Sequence, residues 1–182
     1  MRDIEGIDEL IAAIAPHRRE IEDEFERHNR RFLELAAADH DTIGRVLRAH
    51  LVIENFLNHF LEQTYKIEEI EAVRLSFFQK AMLLPAKLSG AALVRPGILQ
   101  LNAARNRLGH QIPYAIQMHE ISGISEVLRI SRSKLQFDNP VAAIEAFAPI
   151  ACAFLAVPPP HLQEVFLKAF NAIHSYTPEQ IV

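Results

Sequence analysis

The sequence predicts an all-α protein, a helical bundle preceded by additional N-terminal helices. No segment shows the sustained alternation of apolar and polar residues that is typical of a half-buried strand. Apolar residues instead recur three and four positions apart through most of the 182 residues, which is the period of a helix with one buried face. Breaks that contain proline, glycine or serine separate these periodic segments. We therefore expect helices joined by short connections.

Length, charge and cysteine content limit the classes of protein that fit. We expect a single domain over 1–182, with a helical arm over 1–40 and a bundle over 41–182. The net charge of −4 argues against nucleic acid binding over the whole surface but allows a local basic site. A single cysteine, Cys152, excludes an intrachain disulfide, and its apolar neighbours predict a buried small side chain. The sequence shows no signal peptide and no membrane span, which indicates a cytoplasmic protein.

Two helices are expected before the bundle. The first runs over Ile4–Ile14, and Pro16 starts a second that reaches about Ala38. In the second helix the apolar positions are embedded in a dense mixture of arginine and glutamate. We interpret this mixture as a solvated helix face in preference to a surface that binds a partner.

N-cap residues at 39–42 predict the start of the longest helix, which reaches about Tyr65. Its polar residues include His50 and Glu54, four positions apart, with Asn55 alongside. Glu54 lies within an apolar run, where an unpaired carboxylate is costly. We therefore expect a cation or an amide to pair with it.

The next segments are two helices and a connection. A third helix is expected to start at about Ile67 or Ile70 and to end at Leu84, before a proline. Lys87–Val94 is predicted to connect it to a helix that carries Pro96 in its first turn and ends near Gly109.

The C-terminal third contains fewer clear signals. One short helix is expected at about Ile124–Ile130. Asn139 and Pro140 then open an apolar helix that reaches Val157. After three consecutive prolines, a last amphipathic helix is expected to end near Ser175.

The helix that ends near Gly109 carries the most informative polar residues. Asn102, Asn106 and His110 follow one another at intervals of four and share a stripe, and Arg105 lies beside it. A second face, directed at the core, is predicted for Ile98, Leu101, Ala104 and Leu108.

The same region is locally cationic although the whole chain is acidic. No acidic residue occurs from Arg74 through His110. Within this stretch, Lys80, Asn102 and Arg107 are candidate substrate-binding residues. No G-x-G-x-x-G, P-loop or H-E-x-x-H pattern occurs, and no histidine follows a glutamate by three positions. We therefore predict no cofactor and no metal.

The segment Arg105–His110 resembles the R-x4-6-H motif of the HEPN superfamily, in which a polar residue commonly follows the arginine, as Asn106 does here. Arg48–Leu57 looks like the first long helix of that family, and Phe77–Leu84 looks like its second. The resemblance covers residues 41–110, with the apolar helix after Asn139 as an optional extension, and leaves the first forty unexplained.

Membership of this superfamily implies a compact up-and-down helical bundle, usually a dimer in which the motifs of two subunits meet. Many members are metal-independent endoribonucleases of toxin, antiphage or RNA-processing systems, and others are non-catalytic binding or scaffolding modules. The resemblance thus implies that the protein binds RNA and forms a homodimer. If the protein is a toxin, the resemblance also implies an antitoxin protein as its partner.

Residue chemistry agrees with a ribonuclease. Cleavage without a metal requires deprotonation of the 2′-hydroxyl, stabilisation of charge on phosphorus and protonation of the leaving 5′-oxygen. In this hypothesis His110 is the general acid or base, Arg105 holds the scissile phosphate and Asn106 orients one of them.

A purely structural interpretation remains open beside the catalytic one. Arg105 would neutralise Glu54 across two packed helices, Asn102 and Asn106 would complete a buried network, and His110 would cap the helix end. Glu54 and Asn55 are interpreted as structural partners of the site in either case.

Overall fold

A computed structural model describes residues 5–37, 39–111, 114–132 and 136–171. Throughout these ranges the ordered elements are helices and no strand is present, so the predicted all-α helical bundle is confirmed. The chain divides into two compact units, Met1–Asp39 and His40–Val182.

The N-terminal unit consists of two helices joined by one tight turn. Helix α1 spans Ile7–Ile14, a 3₁₀ turn with a proline covers Ala15–His17, and helix α2 spans Arg18–Ala36. Neither helix contains a buried residue. The expected start at Ile4 and the expected end near Ala38 fall outside the described residues.

The larger unit is the bundle. Helix α3 contacts α7, α5 and α4, while helix α5 also contacts α4, α6 and α7 and so occupies the middle. Its core is formed by large side chains that are fully buried, among them Ile53, Leu101, Ile144 and Phe147. The helices of this unit are α3 His40–Tyr65, α4 Phe77–Met82, α5 Gly90–His110, α6 Ser122–Ser131, α7 Pro140–Leu155 and α8 Pro160–Asn171.

Helix α5 begins six residues before Pro96, so the prediction that this proline lies in the first turn is wrong. Ser89 is the N-cap, and its hydroxyl accepts a hydrogen bond from the backbone N–H of Ala92, 3.1 Å away. A serine cap satisfies an N–H that the first turn leaves unpaired. The cap starts the helix within the segment expected to be a connection, and Pro96 is tolerated inside it.

The expected third helix is broken into two pieces. Ile70–Val73 forms a 3₁₀ turn, Arg74 adopts a left-handed conformation with φ of 56°, and α4 starts afresh at Phe77. Ser76 and Gln79 form a capping box, in which each side chain bonds the other residue's backbone N–H. This box fixes a new helix start, because it satisfies two N–H groups that would otherwise be unpaired.

The remaining helices agree with expectation where the structure describes them. Helix α6 extends the short predicted helix by one or two residues at each end, and Asn139 caps α7 as predicted. Cys152 is buried in α7. The expected end of α8 near Ser175 lies outside the described residues. None of the helices in the described ranges combines the length and the apolar character needed to cross a membrane.

Candidate functional site

The last two turns of α5 carry the residues predicted to act together. Ile98, Leu101, Ala104 and Leu108 are buried as predicted, so the other side of the helix is left to polar residues. We call Arg105, Asn106 and His110 the α5 polar face. All three are exposed, whereas Asn102, one turn earlier on the same stripe, is half-buried.

Among the residues that the structure describes, the side chain of Arg105 has one hydrogen-bond partner, which belongs to the same face. Its Nη1 donates to Oδ1 of Asn106 at 3.2 Å. Within the described ranges neither Arg105 nor His110 forms an ion pair with a carboxylate. The guanidinium and the imidazole are therefore available to an anion from solvent.

Helical geometry sets the separation between these two groups. Five residues correspond to about 7.5 Å along the axis and about 140° around it. Asn106 lies between them, about 40° from His110. One chain thus presents the guanidinium and the imidazole on different sides of the α5 polar face.

Arg107 is occupied by other residues of its own chain. Its Nη1 is paired with Oε1 of Glu120 and lies 3.2 Å from the hydroxyl of Tyr114. That hydroxyl donates to Glu120 at 2.5 Å, and the guanidinium lies over the tyrosine ring at 5.9 Å. These contacts tie the end of α5 to the segment that precedes α6.

Lys80, which was expected to bind substrate, lies inside the bundle. It is 5% exposed, and its ammonium donates to Oε1 of Glu54 at 2.8 Å. The partner expected for Glu54 is therefore present, and it is Lys80 on α4. The structural interpretation that paired Glu54 with Arg105 named the wrong cation.

His50 is a buried polar residue that the sequence interpretation did not select. Its ring stacks on Phe77 with centroids 3.9 Å apart, and its Nε2 lies 3.4 Å from Oδ1 of Asn102. Burial lowers the pKa of His50, and the positive charges of Arg105 and Lys80 act in the same direction. A histidine inside the apolar run of α3 was the signal available in the sequence.

Asn55 does not join the site. Its side chain is exposed on α3, and in the described part of the chain it has no hydrogen bond to any residue of the α5 polar face. Its neighbour Glu54 points to α4 instead.

A second ionic cluster lies between α3 and α7. Glu145 accepts from Arg45, with Nε to Oε1 at 3.1 Å, and from Arg48 at 3.1 Å. The hydrogen bonds from Arg45 hold the pKa of Glu145 below its usual range. Sequence reasoning missed this cluster, because Glu145 stands about one hundred positions away from its partners.

An exposed guanidinium can bind an anion, and an exposed imidazole can transfer a proton. Among the residues that the structure describes, no group of three or more histidine, cysteine, aspartate or glutamate side chains is placed to hold a metal ion. Comparisons with protein-family models, with curated proteins and with solved structures found no match for this chain. Function is therefore inferred from the residues of the site.

Proposed function

We propose that this protein binds RNA at the α5 polar face and cleaves it as a metal-independent endoribonuclease, by attack of a 2′-hydroxyl, within a homodimer. The observation that carries the proposal is the exposure of Arg105 and His110 on adjacent turns without a carboxylate partner in the described ranges. The resemblance of Arg105–His110 to the HEPN motif points to the same activity.

Local charge supports an anionic ligand. Residues 74–110 contain no acidic side chain, and Glu54, which approaches this region from α3, is neutralised by Lys80. A phosphate that reaches Arg105 therefore meets little repulsion from nearby carboxylates. The planar guanidinium can donate two parallel hydrogen bonds to phosphate oxygens.

The reaction needs two proton transfers. A base removes the proton from the 2′-hydroxyl, the new O2′–P bond forms, and the P–O5′ bond breaks while an acid protonates the 5′-oxygen. The products are a 2′,3′-cyclic phosphate and a 5′-hydroxyl. We assign one transfer to His110 and the other to His110 of a second copy, with Arg105 stabilising the charge on phosphorus.

The test measures cleavage of a labelled single-stranded RNA of mixed sequence in EDTA. His110→Ala should lower the rate by about 100-fold or more, because a general acid or base contributes that much. Arg105→Ala should lower it by about 100-fold through loss of charge stabilisation. DNA of the same sequence should stay intact, because it has no 2′-hydroxyl.

Two variants serve as matched controls. His119→Ala removes an exposed histidine and Arg129→Ala an exposed arginine, and neither residue belongs to the α5 polar face. Both should cleave at the wild-type rate. Cleavage that EDTA abolishes, or that His110→Ala retains in full, would contradict the proposal.

A non-catalytic regulatory or scaffolding module is the second candidate. It is favoured by Lys80 and Arg107, since both predicted ligand-binding cations are occupied by carboxylates of their own chain. In that case fluorescence anisotropy would detect RNA binding that depends on Arg105, while no cyclic phosphate forms.

We also propose a toxin or defence role, in which an antitoxin protein would bind the chain and block the α5 polar face. Expression of the wild-type chain should then slow cell growth, while His110→Ala should not. Normal growth with the wild-type chain, at equal expression, would contradict this role.

A further inference from the structure

Helix α2 carries an apolar stripe with the spacing of a coiled coil. Ile21, Phe25, His28, Phe32 and Leu35 follow one another at alternating intervals of four and three residues. Those intervals place side chains along one seam of a helix, at the a and d positions of a heptad repeat. Phe25 is 71% exposed and Phe32 is 65% exposed. Large aromatic side chains at these positions are the kind that a partner helix covers.

Charge divides α2 into two halves of opposite sign. The acidic segment, 20–26, contains five carboxylates and no cation. The basic segment, 27–31, contains three arginines and a histidine and no carboxylate. A complementary partner helix places basic residues beside the acidic segment and acidic residues beside the basic segment. A second copy of α2 that runs antiparallel to the first has this order of charge.

We propose that α2 pairs with α2 of a second copy of this chain as an antiparallel coiled coil. The pair is centred between Glu26 and Arg27, so that each acidic segment lies along the basic segment of the other copy. In this register Ile21 meets Phe32 of the second copy, and Phe25 meets its His28. Twofold symmetry repeats each contact.

The charges at the edges of the seam select this register. Glu24 and Arg31 both occupy the g position of the heptad, and g positions face each other in an antiparallel pair. Glu24 then lies beside Arg31 of the second copy, twice. A shift by one heptad in one direction sets Arg31 against Arg31, and in the other direction sets Glu24 against Glu24. A parallel pair leaves Arg31 without a carboxylate across the seam.

The contacts these two residues make within one chain do not oppose the pairing. Glu24 is paired with Arg27 and lies 3.5 Å from Nε2 of His28, and Arg31 donates to Glu34 at 3.3 Å. Every one of these side chains is at least 45% exposed. Exposed pairs of this kind contribute little to stability and can exchange partners.

Self-association of the full-length chain, measured by sedimentation equilibrium, tests the proposal. Glu24→Arg sets two arginine pairs together, and Arg31→Glu sets two glutamate pairs together. Each variant should raise the dissociation constant by at least about tenfold. The double variant E24R/R31E, and an equal mixture of the two single variants, should both return to the wild-type value. Phe25→Asp should abolish the association that depends on α2.

A matched control changes the same charge on the outer side of the helix. Asp23→Arg lies at an f position next to Glu24, faces away from the seam, and should leave the dissociation constant unchanged. The proposal would be overturned by a wild-type chain that stays monomeric, by Glu24→Arg behaving like Asp23→Arg, or by a mixture that fails to restore association. If the chains associated through the bundle alone, every α2 variant would have the dissociation constant of the wild type. That result would also overturn the proposal.

Discussion

Two buried polar side chains, Lys80 and His50, show how single residues join helices. Lys80 joins α4 to α3 through Glu54, and His50 joins α3 to α5 through Asn102. Each contact satisfies a group that is costly to bury alone. The Nδ1 of His50 is buried without a hydrogen-bond partner among the described residues, and burial lowers the pKa of this ring. These residues support α5, while the exposed residues of its polar face remain available to a ligand.

His50 should make stability depend on pH. Burial lowers its pKa below the usual value of 6.5, so the unfolded chain binds the proton more readily than the folded chain. The contribution of His50 to the free energy of unfolding is therefore fully present above pH 6.5. As the pH falls below that value, this contribution decreases by at most about 1.4 kcal/mol per pH unit. Urea unfolding of the wild type and of His50→Leu, between about pH 7.5 and about pH 5.5, measures the difference in slope.

The control for this prediction is His119→Leu, which removes an exposed histidine. Its unfolding free energy should follow the wild-type pH dependence. If the unfolding free energies of His50→Leu and the wild type change with pH at the same slope, the prediction for the buried ring is wrong.

At the scale of helices, α5 is placed by a close approach to its neighbours. Gly97 lies where a Cβ would come 2.7 Å from Cζ of Phe147 on α7 and 3.2 Å from Cγ1 of Ile124 on α6. No side chain fits there without displacing the phenyl ring. Glycine at this position lets three helices meet, and that packing fixes the direction in which the α5 polar face points.

Gly97→Ala should therefore destabilise the bundle. Alanine favours a helix over glycine by about 1 kcal/mol, but overpacking against the phenyl ring should outweigh that gain and give a net loss of about 1 to 2 kcal/mol. Gly44→Ala in α3 is the matched control, since nothing lies within 4 Å of its added Cβ. It should be neutral or stabilising. Urea unfolding distinguishes the two, and equal stability of both variants would contradict the packing argument.

At the scale of the whole molecule, the proposed site depends on two copies. If both proton transfers use His110, one from each chain, a mixed dimer with one His110→Ala chain has no complete site. Adding an equal amount of His110→Ala to a fixed amount of wild type should then lower total cleavage by about half, once subunits have exchanged. An unrelated inert protein should leave the rate unchanged. Unchanged cleavage with the variant would show that a single chain suffices.

The α5 polar face shows which parts of the site could be read from sequence. The period of Ile98, Leu101, Ala104 and Leu108 places them in the core, so the opposite stripe is necessarily polar. The same reasoning predicted that Glu54 needs a partner. Local chemistry was enough for these conclusions, because neighbours on one helix are set by spacing alone.

Partners across helices could not be read in this way. Lys80 and Arg107 were both predicted to bind substrate, yet Lys80 pairs with Glu54 on α3 and Arg107 pairs with Glu120 in the segment before α6. The caps at Ser76 and Ser89 were likewise present in the sequence, but the predicted helix boundaries did not use them.

By itself the sequence determined the helical class, most of the core and the stripe that carries Asn106 and His110, with Arg105 beside it. Periodicity fixes these features because they depend on neighbours within one helix. Only the tertiary structure decided which charges remain available, because burial and ion pairing depend on residues that packing brings together from distant parts of the chain. It buried Lys80 and His50 and left Arg105 and His110 in solvent.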